Sequence, residues 1–359
     1  MLKSTLWLGL GGAGCKLVNE ALNINPSLNT MFVNNNRNEV SVLNNFEASL
    51  DNYLLISGNG SGRDREKARQ NIVNNKNLVI DHLSKEVNKY TNFIIIFATG
   101  GGFGCGSFKT ITKVVYSLAK RYGNEIGITL LPILPKFSNK RIDMQNTLLA
   151  YNDIVELKKD RIINNYCFID NNKIKNINKF NNEVMKTVIE AYSLNNIELD
   201  INDARRIHDA YGYKLFLNLE DEFSEDVNDA IEYSISNSNF IIPNSFKNCS
   251  HLGISVKEDF DSYSISDLFN VRDFDKADYN DDNNILVVSG CKEPINVIKR
   301  YEEYFNKSIS EDGIDEEDYI VNIDFKENKT TTRSIKEEIV DKPKKITKAD
   351  LRKELDDLF

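Results

Sequence analysis

Histidine is scarce in this 359-residue chain and cysteine is unorganised. There are three histidines (His82, His208, His251) and five cysteines (Cys15, Cys105, Cys167, Cys249, Cys291). No two cysteines form a C-x-x-C, and no histidine stands at metal-ligand spacing from another histidine or a cysteine. That argues against a zinc centre and against a Cys–His nucleophile. The odd, scattered thiols read as buried side chains of a reducing compartment. No apolar run approaches the ~20 residues of a membrane-spanning helix. Positive charge is not in excess either: 45 Lys and Arg stand against 54 Asp and Glu, a formal net charge of −9. An acidic chain is a poor direct binder of nucleic acid, although a DNA-bound partner protein stays open. The opening "MLKSTLWLGLGGAGC" has the lysine, apolar stretch and cysteine of a signal peptide. Its glycines break the apolar stretch, and Leu10 is badly placed for a lipoprotein cleavage box. The same residues fit strand, loop and helix better, and the expected location is the cytoplasm, with no direct membrane contact.

Apolar residues make up 41% and charged residues 28% of the chain, a soluble globular balance long enough for two domains. Strand-like runs at 5–10, "NTMFVNN", 93–98, 126–134 and 166–170 alternate with helical patterns at 11–22, 66–87, 107–122, 144–160 and 181–194. The strands are continuous apolar runs, as in a parallel sheet covered on both faces. Past residue 200 the pattern becomes smaller and mixed: a helix over 203–212, "YKLFLNL", a helix over 224–237, "SHLGISVKE", "NNILVVSGC" and a helix over 294–307 opened by Pro294.

Glycine is concentrated in three loops that follow strands, at 9–14, 58–62 and 100–106; five of the last seven residues are glycine. A glycine loop opening a helix suits an anion, because the backbone can approach closely and the helix start offers unpaired N–H groups. Three such loops at one sheet edge point to a polyphosphate. Two common frames fall short. "GLGGAG" fits the dinucleotide fingerprint, but Asn34, Asn35 and Asn36 stand where that fold places its ribose-binding acid. Neither Gly101–Gly106 nor Gly9–Gly14 is followed by the lysine of a P-loop. A nicotinamide-dependent oxidoreductase therefore survives only as a rival.

"TGGGFGCGSF" after a strand resembles the signature loop of the tubulin/FtsZ superfamily. "GLGGAGCKLVN" is similar to the family's first loop, "SGNGSGRD" to its third, and "FIDNNKI" to the segment with its guanine-reading asparagine. "LDINDARRIHDAYGYKLF", "SEDVNDAIEYSISNS" and "NNILVVSGC" resemble later parts, so the likeness spans roughly residues 5–300. Within the family, the length and the charged tail look most like TubZ, which segregates plasmid and some phage DNA.

This resemblance implies an α/β fold: a parallel-sheet GTP-binding domain (1–178), a central helix (179–197) and a smaller mixed α/β activation domain (198–293). A C-terminal helix and extension (294–325) and a flexible tail (326–359) would follow. It implies GTP or GDP as the ligand, with Mg²⁺. The binding residues would be Gly11, Gly12, Ala13, Gly14 and Lys16, then Asn36, Gly60 and Gly62. The signature loop would add Gly100, Gly101, Gly102, Phe103, Gly104, Cys105 and Gly106. Asn171, Phe180 and Glu183 would meet the base. Phe103 and Cys105 replace the family's usual hydroxyl residues, leaving backbone N–H groups and Ser107 to meet phosphate. No protein residue is expected to bind metal directly.

Asp200 and Asp203 match the family's hydrolytic acids; read without the resemblance, two carboxylates at a helix start are equally caps. The helix before them would carry them ~20 Å from the phosphate loops. They would then act on the nucleotide of the next subunit, in a head-to-tail filament. The implied function is a filament-forming GTPase driving plasmid or phage DNA segregation. An FtsZ-like cell-division polymer and a weakly hydrolysing structural filament are the alternatives. Residues 326–359 carry ten Lys/Arg and eight Asp/Glu, and Leu351, Leu355, Leu358 and Phe359 form an apolar stripe after a lysine cluster. This end is expected to capture a DNA-bound adaptor.

Overall fold

The structure, a computed structural model, describes residues 1–46, 52–56, 60–121, 125–193, 201–219, 227–246, 248–256, 265, 267–269, 271, 276–279 and 283–312. The chain opens with β1 (Thr5–Leu10), α1 (Gly11–Ile24), β2 (Asn29–Asn34), α2 (Arg37–Val40) and β3 (Tyr53–Leu55). Next come α3 (Arg65–Asn74), α4 (Lys76–Glu86), β4 (Asn92–Ala98), α5 (Phe103–Arg121), β5 (Gly127–Leu134) and α6 (Arg141–Lys159). Two short strands, β6 (Asn165–Tyr166) and β7 (Ile169–Asp170), precede α7 (Ile177–Ser193) and α8 (Ile201–His208). The chain continues with β8 (Gly212–Asn218), α9 (Val227–Asn237), β9 (His251–Ser255), β10 (Lys276–Tyr279), β11 (Ile285–Cys291) and α10 (Ile295–Asp312).

Among the described residues the strands form one sheet in the order β10-β9-β11-β8-β6-β5-β4-β1-β2-β3, with β7 also on β5. Every pairing is parallel except those of β11, which runs antiparallel to β8 and β9. All positions of β1 and β5 are buried. This explains their unbroken apolar runs: each such side chain contributes about 1.5–3 kcal/mol, and both faces are covered. α7 packs against α1 on one side and β8 and β11 on the other. Trp7 at the sheet centre meets Tyr192 of α7 edge-on, at a centroid distance of 6.0 Å.

Some boundaries differ from the sequence pattern. The expected helix over 66–87 is divided at Asn75, which ends α3 and begins α4. The single strand expected at 166–170 is two: its pairing with β5 lapses at Phe168, whose N–H donates to the Tyr213 hydroxyl and whose carbonyl accepts from Ile241 N, and resumes in the same register at β7. β3, just before the glycine loop at 58–62, has no counterpart among the expected strands. α5 starts at Phe103 rather than Ser107, so the last glycines of the signature loop form a helix's first turn. No helix among the described residues is long and apolar enough to cross a membrane.

Candidate functional site

A cleft of about 740 Å³ opens at the carboxyl ends of β1, β2, β4 and β5. Its floor is the start of two long helices. Gly11, Gly12 and Ala13 open α1, with Lys16 one turn on, and Gly101, Gly102, Phe103 and Gly104 lead into α5. Leu10 at the head of α1 offers no side-chain cap, so the first N–H groups of α1 are free for a ligand anion. Gly11 has φ +69°, a left-handed turn that a side chain would strain, and a Cβ there would sit 2.9 Å from the Gly104 nitrogen. The first and third glycine loops thus touch each other beneath the cleft.

Gly60, Ser61, Gly62 and Arg63 form a second wall. Asn146 of α6 fastens it: its Nδ2 donates to the carbonyls of Arg63 (2.9 Å), Gly100 (3.3 Å) and Gly101 (3.4 Å). The Arg63 guanidinium pairs with Asp143 of α6 at 2.8 Å. Burial raises the Asp143 carboxyl above its usual range, against the pull of Arg63. The third wall holds Asn34, Asn35 and Glu39. Asn34 Oδ1 accepts from the backbone N–H groups of Asn35 and Asn36, and Asn34 Nδ2 donates to Glu39 at 3.1 Å. Asn35 Nδ2 donates to Ser61 Oγ at 2.8 Å, tying this wall to the second loop. The fourth wall is formed by Asn171, Ile177, Phe180 and Asn181.

Twelve of the expected binding residues therefore line one cleft: Gly11, Gly12, Ala13, Lys16, Gly60, Gly62, Gly101, Gly102, Phe103, Gly104, Asn171 and Phe180. Six others do not. A Cβ on Gly14 would lie 2.2 Å from the Ile96 carbonyl, and one on Gly106 2.2 Å from that of Arg65, so both glycines serve close packing. Gly100 abuts Pro135 and Asp143. The Cys105 thiol is buried against the Asn146 carbonyl at 3.4 Å and pushed up to about 12 by burial, while Ser107 Oγ donates to Gly104 O. Asn36 caps α2 by accepting from Asn38 N. Glu183 faces Lys179 and Asn239.

Glu39, Ser61, Arg63 and Asn181 are lining residues that sequence reasoning missed, and Asn34 and Asn35 were noticed only for not being acids. The acid sought at the end of β2 arrives five residues later, on α2. There the Glu39 carboxylate lies so close that a Cβ on Gly12 would be 2.5 Å from it. No three-residue cluster that could hold a metal ion exists among the described residues.

Asp200 lies outside the described residues. Asp203 lies within α8, its side chain outside them. α8 ends far from the cleft: the His208 carbonyl accepts from Asn165 Nδ2 (2.8 Å) and from Lys214, and Asp209 crowds Gly127 at the first residue of β5. Ile133, which lines the cleft, is six residues along that strand, about 20 Å away.

Residues 4–179 match the model of the tubulin/FtsZ family GTPase domain. A tubulin-like CetZ protein of Methanothrix thermoacetophila is 28% identical over 151 residues, 41% of this chain. The match spans 37% of that relative's length. The tail-truncated TubZ of Clostridium botulinum phage c-st superposes with a TM-score of 0.75 at 19% identity, covering 86% of this chain and 99% of that one. The GTPγS-form protofilament of Bacillus thuringiensis serovar israelensis TubZ gives 0.67 at 15% identity, covering 86% and 92%. The fold is tubulin/FtsZ-like, as the sequence resemblance implied.

Proposed function

We propose that this chain, whose residues 4–179 match the tubulin/FtsZ family GTPase domain, is a GTP-hydrolysing filament protein acting in plasmid or phage DNA segregation. The observation that carries this reading is the cleft, with two helix starts and three glycine loops gathered around one polyphosphate-sized space. Backbone N–H groups, Lys16 and Arg63 supply positive charge for the phosphates, and the Asn171 amide can both donate to and accept from a guanine edge. Mg²⁺ would be held mainly by phosphate oxygens and water, as is usual for this ion.

The remoteness of α8 supports hydrolysis in trans. Asp200 and Asp203 would orient water on the nucleotide of the neighbouring subunit in a head-to-tail contact. Large apolar side chains are exposed at both ends of such a contact: Val42 (74%) and Ile177 (50%) at the cleft, and Tyr211 (41%) beside the start of β8. GTPγS-form protofilaments of a TubZ with this fold agree with such self-association. The segregation role rests on the likeness to TubZ structures and on the charged C-terminal segment, which would take up a DNA-bound adaptor.

Light scattering and electron microscopy of the purified chain with GTP, GDP and no nucleotide test the reading. Filaments are expected with GTP alone. Phosphate release is expected to rise more steeply than linearly with protein concentration, because two subunits complete each site; strictly proportional turnover, or ATP binding as tight as GTP, would refute it. A weakly hydrolysing structural filament is the second reading. It is favoured by Cys105 and Ser107 turning away from the cleft, and filaments without measurable turnover would establish it.

A further inference from the structure

The loop that carries Asn171 is held in place from the far end of the described chain. Asn171 lines the cleft, and its neighbour Asn172 turns outward and has its whole amide engaged. Asn172 Oδ1 accepts from Phe137 N at 2.9 Å. Its Nδ2 donates to Asp170 Oδ1 at 2.8 Å and to the Tyr301 hydroxyl at 3.4 Å. The same hydroxyl donates to the Pro135 carbonyl at 2.5 Å.

Tyr301 lies on α10 and is fully buried. Its ring packs on Phe137 at a centroid distance of 4.6 Å. Tyr304 stacks on Phe137 at 4.7 Å and the Arg300 guanidinium sits 4.5 Å from the same ring. One turn of α10 therefore covers the loop after β5 and reaches through it to the loop after β7. Burial pushes the Tyr301 phenol well up, so its proton stays available for Pro135. A phenylalanine would fill the same space, so the apolar packing alone does not need the hydroxyl. What the hydroxyl adds is a bridge between two loops at the Asn171 wall of the cleft.

We propose that Tyr301 is a positioning residue for guanine recognition, its hydroxyl holding the Asn172 loop so that Asn171 meets the base ready-placed. The inference rests on the assignment of Asn171 as the base reader. A site whose competent arrangement is only partly populated binds correspondingly more weakly, so loosening this loop appears as lost affinity.

A double-mutant cycle on the full chain tests this, with GDP affinity measured by calorimetry for the wild type, Tyr301→Phe, Asn171→Ala and the pair. Tyr301→Phe is expected to weaken GDP binding about three- to tenfold, the scale of one hydrogen bond. In the Asn171→Ala background the same change is expected to cost nothing further. A purely structural tyrosine would cost the same in both backgrounds, and that result, or a single-variant affinity within twofold of wild type, would overturn the inference. Wild-type affinity in Asn171→Ala would instead remove the base assignment and the inference with it. Should Tyr301→Phe fail to fold, Asn172→Ala carries the same cycle from the exposed side of the bridge, with the same expectation.

Discussion

Asn146 is 2% exposed and lies on no glycine loop, yet one nitrogen of its amide serves carbonyls of two of them. An apolar side chain here would leave buried carbonyls unpaired, at about 1–3 kcal/mol in all. Asn146→Ala is therefore expected to lower the unfolding midpoint and to weaken GTP binding, because the second and third loops lose their common anchor; thermal denaturation and nucleotide titration read the two effects. At the other end of the sheet, His208 is buried against Tyr192, with ring centroids 4.3 Å apart. Burial, and the nearby Lys214 cation, hold its imidazole well below the usual range. It stays neutral in the folded protein while the unfolded chain takes up a proton below its ordinary value of about 6.5. The unfolded state then binds more protons, so this residue's effect is to lower stability as pH falls below about 6.5. In urea denaturation between pH 7 and 5, His208→Phe is expected to lose stability less steeply than wild type, by up to about 1.4 kcal/mol per pH unit, whatever its stability at pH 7.

The helices α7 and α8 carry the chain away from the cleft to the opposite end of the sheet. α7 has 17 residues, about 25 Å of helix, and it begins at the cleft, which Ile177 and Phe180 line. Its far end delivers the chain to α8, whose last carbonyl is tied to Lys214 and Asn165 near the starts of β8 and β6. In the proposed head-to-tail contact, acids carried on this segment would act on the next subunit's nucleotide. Asp200→Ala and Asp203→Ala are each expected to preserve GTP binding and assembly while slowing hydrolysis by about 10²–10⁴-fold, the usual contribution of a water-orienting group. Normal turnover in both variants, measured by phosphate release, would return these residues to simple helix caps. Element type was legible wherever burial is two-sided or the apolar stripe is long, as in β1, β4, β5 and α5. The breaks were not: the interruption at Cys167–Phe168 follows from Phe168 bonding the Tyr213 hydroxyl and Ile241 N, groups distant in the chain, and no local pattern announces it.

Across the chain, the sheet joins the family-matched segment to the remainder through the β6–β8 pairing, so the two parts share a rigid hydrogen-bonded frame. The expected tail, residues 326–359 with its apolar stripe at Leu351, Leu355, Leu358 and Phe359, lies outside the described residues. The phage TubZ structure that superposes on 86% of this chain lacks its own C-terminal tail. A chain cut before residue 341 is expected to assemble with GTP much as the full chain does and to lose capture of the adaptor–DNA complex. Co-sedimentation with that complex checks it, and retained capture would move docking onto the folded body.

By itself the sequence determined the alternation of strand and helix, the parallel sheet, the three glycine loops and the family they resemble. Those features are written in short stretches: apolar runs of strand length, and glycine where the backbone must turn sharply or approach another chain. The tertiary structure decided which residues of those stretches face the ligand. Gly11 and Gly14 belong to one motif, yet the first borders the cleft and the second is packed against β4, because a helix turns its residues through ~100° each. Glu39, Arg63, Asn146 and Tyr301 come to the site from α2, a turn, α6 and α10, and no sequence spacing links them. Their places follow from the order of strands in the sheet and from the packing of helices over it, which only the folded chain brings about.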